Sequence, residues 1–232
     1  MIIWLRSVLF MAWFLTVTTI LSLLFLPVLI LPRGATVWLA RLWSRTTFLG
    51  LKAFAGIDWE VRGRPPKGAV LVAAKHMSMW DTMALYLVLD APATVLKREL
   101  LHIPFYGWFL WKATAIAIDR GAGARALRKM ASAAQKVLKE RRPILIFPEG
   151  TRKKPGAAPD YKPGVAGLYA MLDVTCVPVA LNSGVHWTGF LKRPGTIVLE
   201  FLEPIAPGMK RPAFMALLEE RIETATSRLL AS

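Results

Sequence analysis

Hydrophobic positions follow two patterns. From residue 7 through 32 the chain carries no charge over 26 positions. As one helix this run would reach ~39 Å at 1.5 Å per residue, enough to cross a ~30 Å hydrocarbon core. Pro27 lies inside it and is expected to kink the helix or end its regular part, so a half-buried, re-entrant helix is the alternative to a spanning one. A cleaved signal peptide fits less well: only Arg6 precedes the run as a charge, and the run is too long. Residues 35–57 form a second, amphipathic helical pattern. Arg41, Arg45 and Lys52 fall within about 40° of one another on a helical wheel, accompanied by Trp38, Trp43 and Phe48. That composition suits a helix lying at a membrane surface; the competing reading is a solvated face on an ordinary domain helix.

From residue 58 the pattern alternates. Candidate strands are 59–62, 70–74, 93–96, 115–118, 144–147, 177–181 and 197–201; candidate helices are 79–89, 122–141, 164–172 and 212–230. Such alternation predicts an α/β fold, a mixed sheet covered by helices, with an N-terminal membrane-associated two-helix segment. The expected division is residues 1–57 for that segment and 58–232 for the α/β domain. Phe214, Leu217, Leu218, Ile222, Ala225 and Leu229 share one face of the last helix, which reads as a packing helix.

Charge narrows the partners. The 232 residues carry a formal net charge of +15, which favours anionic partners: a phospholipid surface, coenzyme phosphates or an acidic carrier protein. No nucleic-acid-binding signature accompanies the charge, so nucleic acid is not an expected partner. If the first run spans, the Lys and Arg after it place the main domain on the cytoplasmic side. Cys176 is the single cysteine and sits in an apolar run, which reads as a buried inert thiol. No C-x-x-C or H-E-x-x-H pattern occurs, so no metal is expected.

Candidate chemistry gathers at strand ends. The apolar run 68–74 leads into Lys75-His76-Met77-Ser78-Met79-Trp80-Asp81. A carboxylate that accepts from one imidazole nitrogen fixes the tautomer and leaves the other nitrogen to take a proton. Five residues of continuous helix would put the two side chains ~140° apart, so a His76–Asp81 dyad requires a turn between them. The competing reading makes Asp81 a helix cap, since Ser78 and Asp81 have capping-box spacing. After the strand at 144–147 comes Phe147-Pro148-Glu149-Gly150-Thr151-Arg152. There Gly150 permits close backbone approach and Arg152 can hold a phosphate bidentately, while Glu149 orients Arg152 or accepts from a substrate hydroxyl; a plain surface turn is the alternative. Lys97 and Arg120 follow two further strands and would bring two more cations to the same sheet edge. The aromatic stretch 106–111 reads equally as an acyl cover, a membrane contact or core.

Those residues resemble the glycerolipid acyltransferase family, in particular the 1-acyl-glycerol-3-phosphate acyltransferases. The family's first block is N-H-x-S-x-x-D; here Lys75 replaces the Asn, and His76, Ser78 and Asp81 match. The second block, a Lys followed by a strand ending in Asp-Arg, resembles Lys97 through Asp119-Arg120. The third is matched letter for letter by Phe147 to Arg152, and the fourth, an apolar strand with a central Pro, resembles Val177-Pro178-Val179-Ala180.

The resemblance implies acyl transfer from an acyl thioester, acyl-CoA or acyl carrier protein, to the sn-2 hydroxyl of lysophosphatidic acid, giving phosphatidic acid. His76 would be the general base and Asp81 its orienting partner. Arg152, with Arg120 and Lys97, would hold the acceptor's phosphate, with Glu149, Gly150 and Thr151 shaping that loop and Pro178 the acyl pocket. Lys97 and backbone N–H groups near Gly150 are alternative oxyanion donors. No cofactor and no metal are implied, and the expected location is the inner membrane. Sister acceptors, namely lyso-ornithine lipid or glycerol 3-phosphate, remain open, as does a non-catalytic lipid-binding module.

Overall fold

The computed structural model describes residues 1–119 and 123–231. Helix α1, Ile2–Leu24, is followed by a 3-10 turn at Leu26–Ile30 with Pro27 in its first turn. Proline has no N–H to continue an α-helix, so the uncharged run becomes a helix and a turn. Helix α2, Arg33–Gly50, returns alongside. Trp13 Nε1 donates to Thr46 O and Trp43 Nε1 to Thr18 Oγ1, each at 2.9 Å. The second predicted helix widens into a π-turn at Leu51–Ala55 and stops at Gly56, whose φ is 65°. Glycine occupies that left-handed position without strain, and Ile57 opens the first strand instead of closing the helix.

The expected cationic face of α2 is largely absorbed by the fold. Arg41 donates to Leu89 O at 3.0 Å, and Lys52 pairs with Asp58 at 2.7 Å. Arg41 is half-buried, whereas Arg45 and Lys52 remain exposed. The helical wheel groups these residues correctly, but tertiary neighbours take two of them.

The order continues as β1 Ile57–Arg62, β2 Leu71–Ala74, α3 Trp80–Val88, β3 Ala93–Lys97, a 3-10 turn Arg98–His102, α4 Tyr106–Lys112, β4 Ile116–Ile118 and α5 Gly123–Lys139. Then come β5 Ile144–Ile146, α6 Gly164–Leu172, β6 Cys176–Leu181, α7 Ser183–His186, β7 Trp187–Thr188, β8 Leu191–Lys192, β9 Gly195–Phe201 and α8 Arg211–Ala231. All seven expected strands form within two residues of the predicted bounds. The short α4 and α7 and the β7–β8 hairpin were not anticipated; at seven, four and two residues per element they are too brief to show a period.

Seven strands make one sheet in the order β1-β9-β6-β2-β5-β3-β4. Every neighbouring pair is parallel except β6 and β9. The sheet is therefore mixed, with β2 to β6 all ending at one edge. Its two faces separate cleanly because side chains alternate along a strand. Val72 and Ala74 pack with Phe48, Trp80, Met83 and Leu85, on the side of α1, α2 and α3. Leu71 and Ala73 pack with Met130, Val165, Tyr169, Phe214 and Leu218, from α5, α6 and α8. The last helix is thus the packing helix its pattern predicted.

Helix α1 is long and apolar enough to cross a membrane by length and composition. It reaches the domain through Phe10, which is buried edge-on against Trp187 at 5.5 Å. Its other side presents Leu5, Leu9, Leu15, Ile20 and Leu24 to the exterior. Cys176 is fully buried, and burial pushes its thiol up from the ordinary range, in keeping with an inert side chain.

Candidate active site

The first block lies where β2 leaves the sheet. Lys75 N still bonds Val179 O at 2.9 Å, after which the chain turns and α3 begins. This turn is what the five-residue spacing required. His76 Nδ1 lies 2.9 Å from Asp81 Oδ2. The same oxygen accepts the N–H groups of Met77 and Ser78 at 2.7 and 2.8 Å. Ser183 Oγ donates to Oδ1, and the Ser78 hydroxyl lies 2.9 Å from Ser183 Oγ and 3.1 Å from Oδ1. Asp81 is fully buried, and these donors are what make a buried carboxylate tolerable. Its two readings turn out to be one arrangement: the groups that cap the start of α3 also hold the partner of His76.

An ionised carboxylate only accepts. Asp81 therefore assigns the proton to Nδ1 and leaves Nε2 with its lone pair. The imidazole stacks on Phe147, centroids 3.9 Å apart and planes 19° from parallel, so its orientation is fixed from a second side. Ser183 is a site residue that sequence reasoning missed. It sits just beyond β6, 105 positions from Ser78, and nothing local marks it.

The third block forms the neighbouring loop. Gly150 N bonds Phe147 O at 2.9 Å with φ 65° at Gly150, a tight reversal that suits glycine. Because the Gly150 N–H closes this turn, it is not a free oxyanion donor. Arg152 is exposed and lines the cavity described below. Glu149 does not pair with Arg152. It turns inward to Lys75 at 3.0 Å; burial pushes its carboxyl up, while Lys75 pulls the other way.

The other predicted residues divide. Lys97 ends β3, is exposed, pairs with Glu99 at 3.3 Å and lines the cavity. Thr151 lines it too. Asp119 follows β4 and pairs with Arg98 at 3.3 Å; Arg120 lies outside the described residues. Pro178 is buried inside β6 beside Ala73, paired with β2 on one side, and is not among the residues that line the cavity.

A cavity of about 1090 Å³ joins these elements. Its charged and polar lining includes His76, Lys97, Arg152, Lys162 and Arg211, with Asp119 and Glu149; the rest is mostly apolar, with Leu21, Leu39, Trp43, Met83, Leu96, Leu110 and Met130. Thus α1 and α2 form part of its wall. The aromatic stretch also divides: Phe109 and Leu110 face the cavity, whereas Trp108 and Trp111 are exposed. A base in a cavity whose lining combines several cations with a largely apolar wall suits a molecule with an anionic head and a hydrocarbon tail.

Comparison with known proteins agrees with this geometry. Residues 59–182 match the family model described as Acyltransferase. The chain is 35% identical over 193 residues to a 1-acyl-sn-glycerol-3-phosphate acyltransferase of Pseudomonas aeruginosa, covering 82% of this chain and 75% of that one. It is 34% identical over 169 residues to the human 1-acyl-sn-glycerol-3-phosphate acyltransferase alpha, covering 69% of this chain and 59% of that one. The crystal structure of the 1-acyl-sn-glycerophosphate (LPA) acyltransferase PlsC from Thermotoga maritima superposes with a TM-score of 0.79 at 22% identity, covering 98% of this chain and 97% of that one, and so shares the fold. With the family model spanning more than half its length and the His76 and Arg152 blocks at one sheet edge, the chain belongs to the acyltransferase family.

Proposed function

We propose that the protein transfers an acyl group from a thioester to the free sn-2 hydroxyl of lysophosphatidic acid, giving phosphatidic acid. The observation that carries the reading is His76, tied through Nδ1 to Asp81 at 2.9 Å and lining a largely apolar cavity that Lys97 and Arg152 also line. Nε2 takes the hydroxyl proton as that oxygen attacks the thioester carbonyl, and Asp81 supports the imidazolium that forms. Collapse of the tetrahedral intermediate breaks the carbon–sulfur bond, and His76 returns the proton to the departing thiolate. Arg152 and Lys97 hold the acceptor's phosphate, and Arg120, outside the described residues, is the third cation assigned to it. With Gly150 N in its turn, the Lys97 ammonium is the better candidate for the oxyanion.

The donor is acyl-CoA or acyl carrier protein, both anionic and suited to the surrounding cations. The protein works at the inner membrane from the cytoplasmic side, with the outward apolar side of α1 in the bilayer. No metal enters the scheme, since a thiolate leaves readily.

The test is transfer of a labelled acyl group from each donor in anionic vesicles, offered lysophosphatidic acid, glycerol 3-phosphate or lyso-ornithine lipid. Phosphatidic acid formed from lysophosphatidic acid and lost in His76→Ala is the expected result. Product from another acceptor would keep the chemistry and change the substrate. No product from any would overturn the reading.

A further inference from the structure

Lys75 stands where the family's first block has Asn, and its side chain points into the protein rather than into the cavity. It is 2% exposed. Its ammonium lies 3.0 Å from Glu149 Oε1 and 2.7 Å from Glu223 Oε1. Glu223 belongs to α8 and also accepts from Tyr161 OH at 2.8 Å. Burial and the Glu223 carboxylate push the Tyr161 phenol far up, so it remains a donor. Four side chains thus meet from four segments: the His76 turn, the Arg152 loop, the segment before α6, and α8.

Glu149 depends on this meeting. Its Oε1 accepts from Lys75, while its Oε2 is buried and accepts no hydrogen bond among the described residues. Without Lys75 the carboxylate would be buried beside a second carboxylate with no cation between them, an expensive arrangement. Glu149 finds relief by taking up a proton or by leaving for solvent, and the second displaces Arg152, which is three residues away in the same loop. An Asn at position 75 has neither the reach nor the charge to serve Glu223. In this chain the lysine and the α8 glutamate are directly paired.

We propose that Lys75 is a positioning residue: anchored by Glu223 on α8, it holds Glu149 inward and so sets Arg152 at the cavity mouth. The proposal rests on the acyl-transfer reading for its kinetic consequence but not for its structural one. It assigns a task in acceptor binding to the C-terminal helix, which otherwise serves as packing.

The experiment is a charge relocation. Lys75→Met keeps the unbranched apolar stem, one atom shorter, and removes the ammonium; adding Glu223→Lys supplies an ammonium to the same place from α8. Steady-state KM values for lysophosphatidic acid and for the thioester are measured in both, together with hydrogen exchange of the backbone amides of residues 149–153 by mass spectrometry. Lys75→Met is expected to raise the acceptor KM about tenfold or more, to leave the thioester KM within about twofold, and to speed exchange in the loop. The double variant is expected to regain most of both losses. If Lys75→Met proves too unstable, Glu223→Gln, at a position 24% exposed, is expected to raise the acceptor KM about threefold with faster loop exchange. Equal rises in both KM values, an unresponsive loop, or no recovery in the double variant would overturn the proposal. Loop exchange that follows the charges in a protein transferring no acyl group would uphold the positioning role and overturn only the reaction.

Discussion

The carbonyl oxygen of His76 accepts the backbone N–H of Lys153 at 2.8 Å. The loop that carries the base and the loop that carries Arg152 are thereby fastened to each other directly. With the stacking of His76 on Phe147, base and cation move as one body. Lys153→Pro removes this donor. It is expected to lower kcat/KM about tenfold while the fold survives, as judged by steady-state kinetics and thermal melting.

His76→Ala should lower kcat by about a thousandfold without releasing the protein from vesicles. Ser183→Ala should lower kcat by about tenfold, because one donor to the buried Asp81 carboxylate is lost and only the Ser78 hydroxyl at 3.1 Å is left to Oδ1. Turnover assays beside vesicle co-sedimentation check both. An active His76→Ala variant would remove His76 from the chemistry.

Arg152→Ala should raise the KM for a phosphate-bearing acceptor by about tenfold or more and change the thioester KM far less. The reverse pattern would mean that Arg152 serves the donor's phosphates instead.

Lys192 offers a prediction about pH. It is fully buried in the β7–β8 hairpin, donates to Gly189 O and Phe190 O, and lies 4.6 Å from the Trp187 ring centroid. Burial lowers it to about 8 from the ordinary lysine value. The folded form therefore releases this proton at a lower pH than the unfolded chain. Between the two values the unfolded state binds more protons, so stability rises with pH over that window and the rise is absent below it. Unfolding followed from pH 7.5 to 10 should show a gain of up to about 3 kcal/mol in the parent relative to Lys192→Met. Parallel curves for the two would contradict a lowered value.

What the sequence made legible was whatever is local. The strand ends, the α6 bounds, the His76–Asp81 turn and the Arg152 block all follow from short apolar runs, glycine and spacing within a few residues. What escaped was non-local. Ser183 reaches Asp81 from beyond β6, and the pairing of Lys75 with Glu223 spans 148 positions, so neither leaves a mark in a short window. Pro178 belongs to a local apolar run, and that run correctly marks the strand in which it is buried. The cations of α2 were correctly grouped, yet the acceptors that take up Arg41 and Lys52 lie in other elements.

Because Leu21 of α1 and Leu39 and Trp43 of α2 help wall the chamber, the N-terminal pair cannot be treated as a detachable handle. A shortened chain beginning at Ile57, of the kind made to ease purification, would lose one side of its own binding site along with its apolar exterior. Failure of such a fragment to turn over substrate would say nothing about the bilayer; it would report a container with a missing wall.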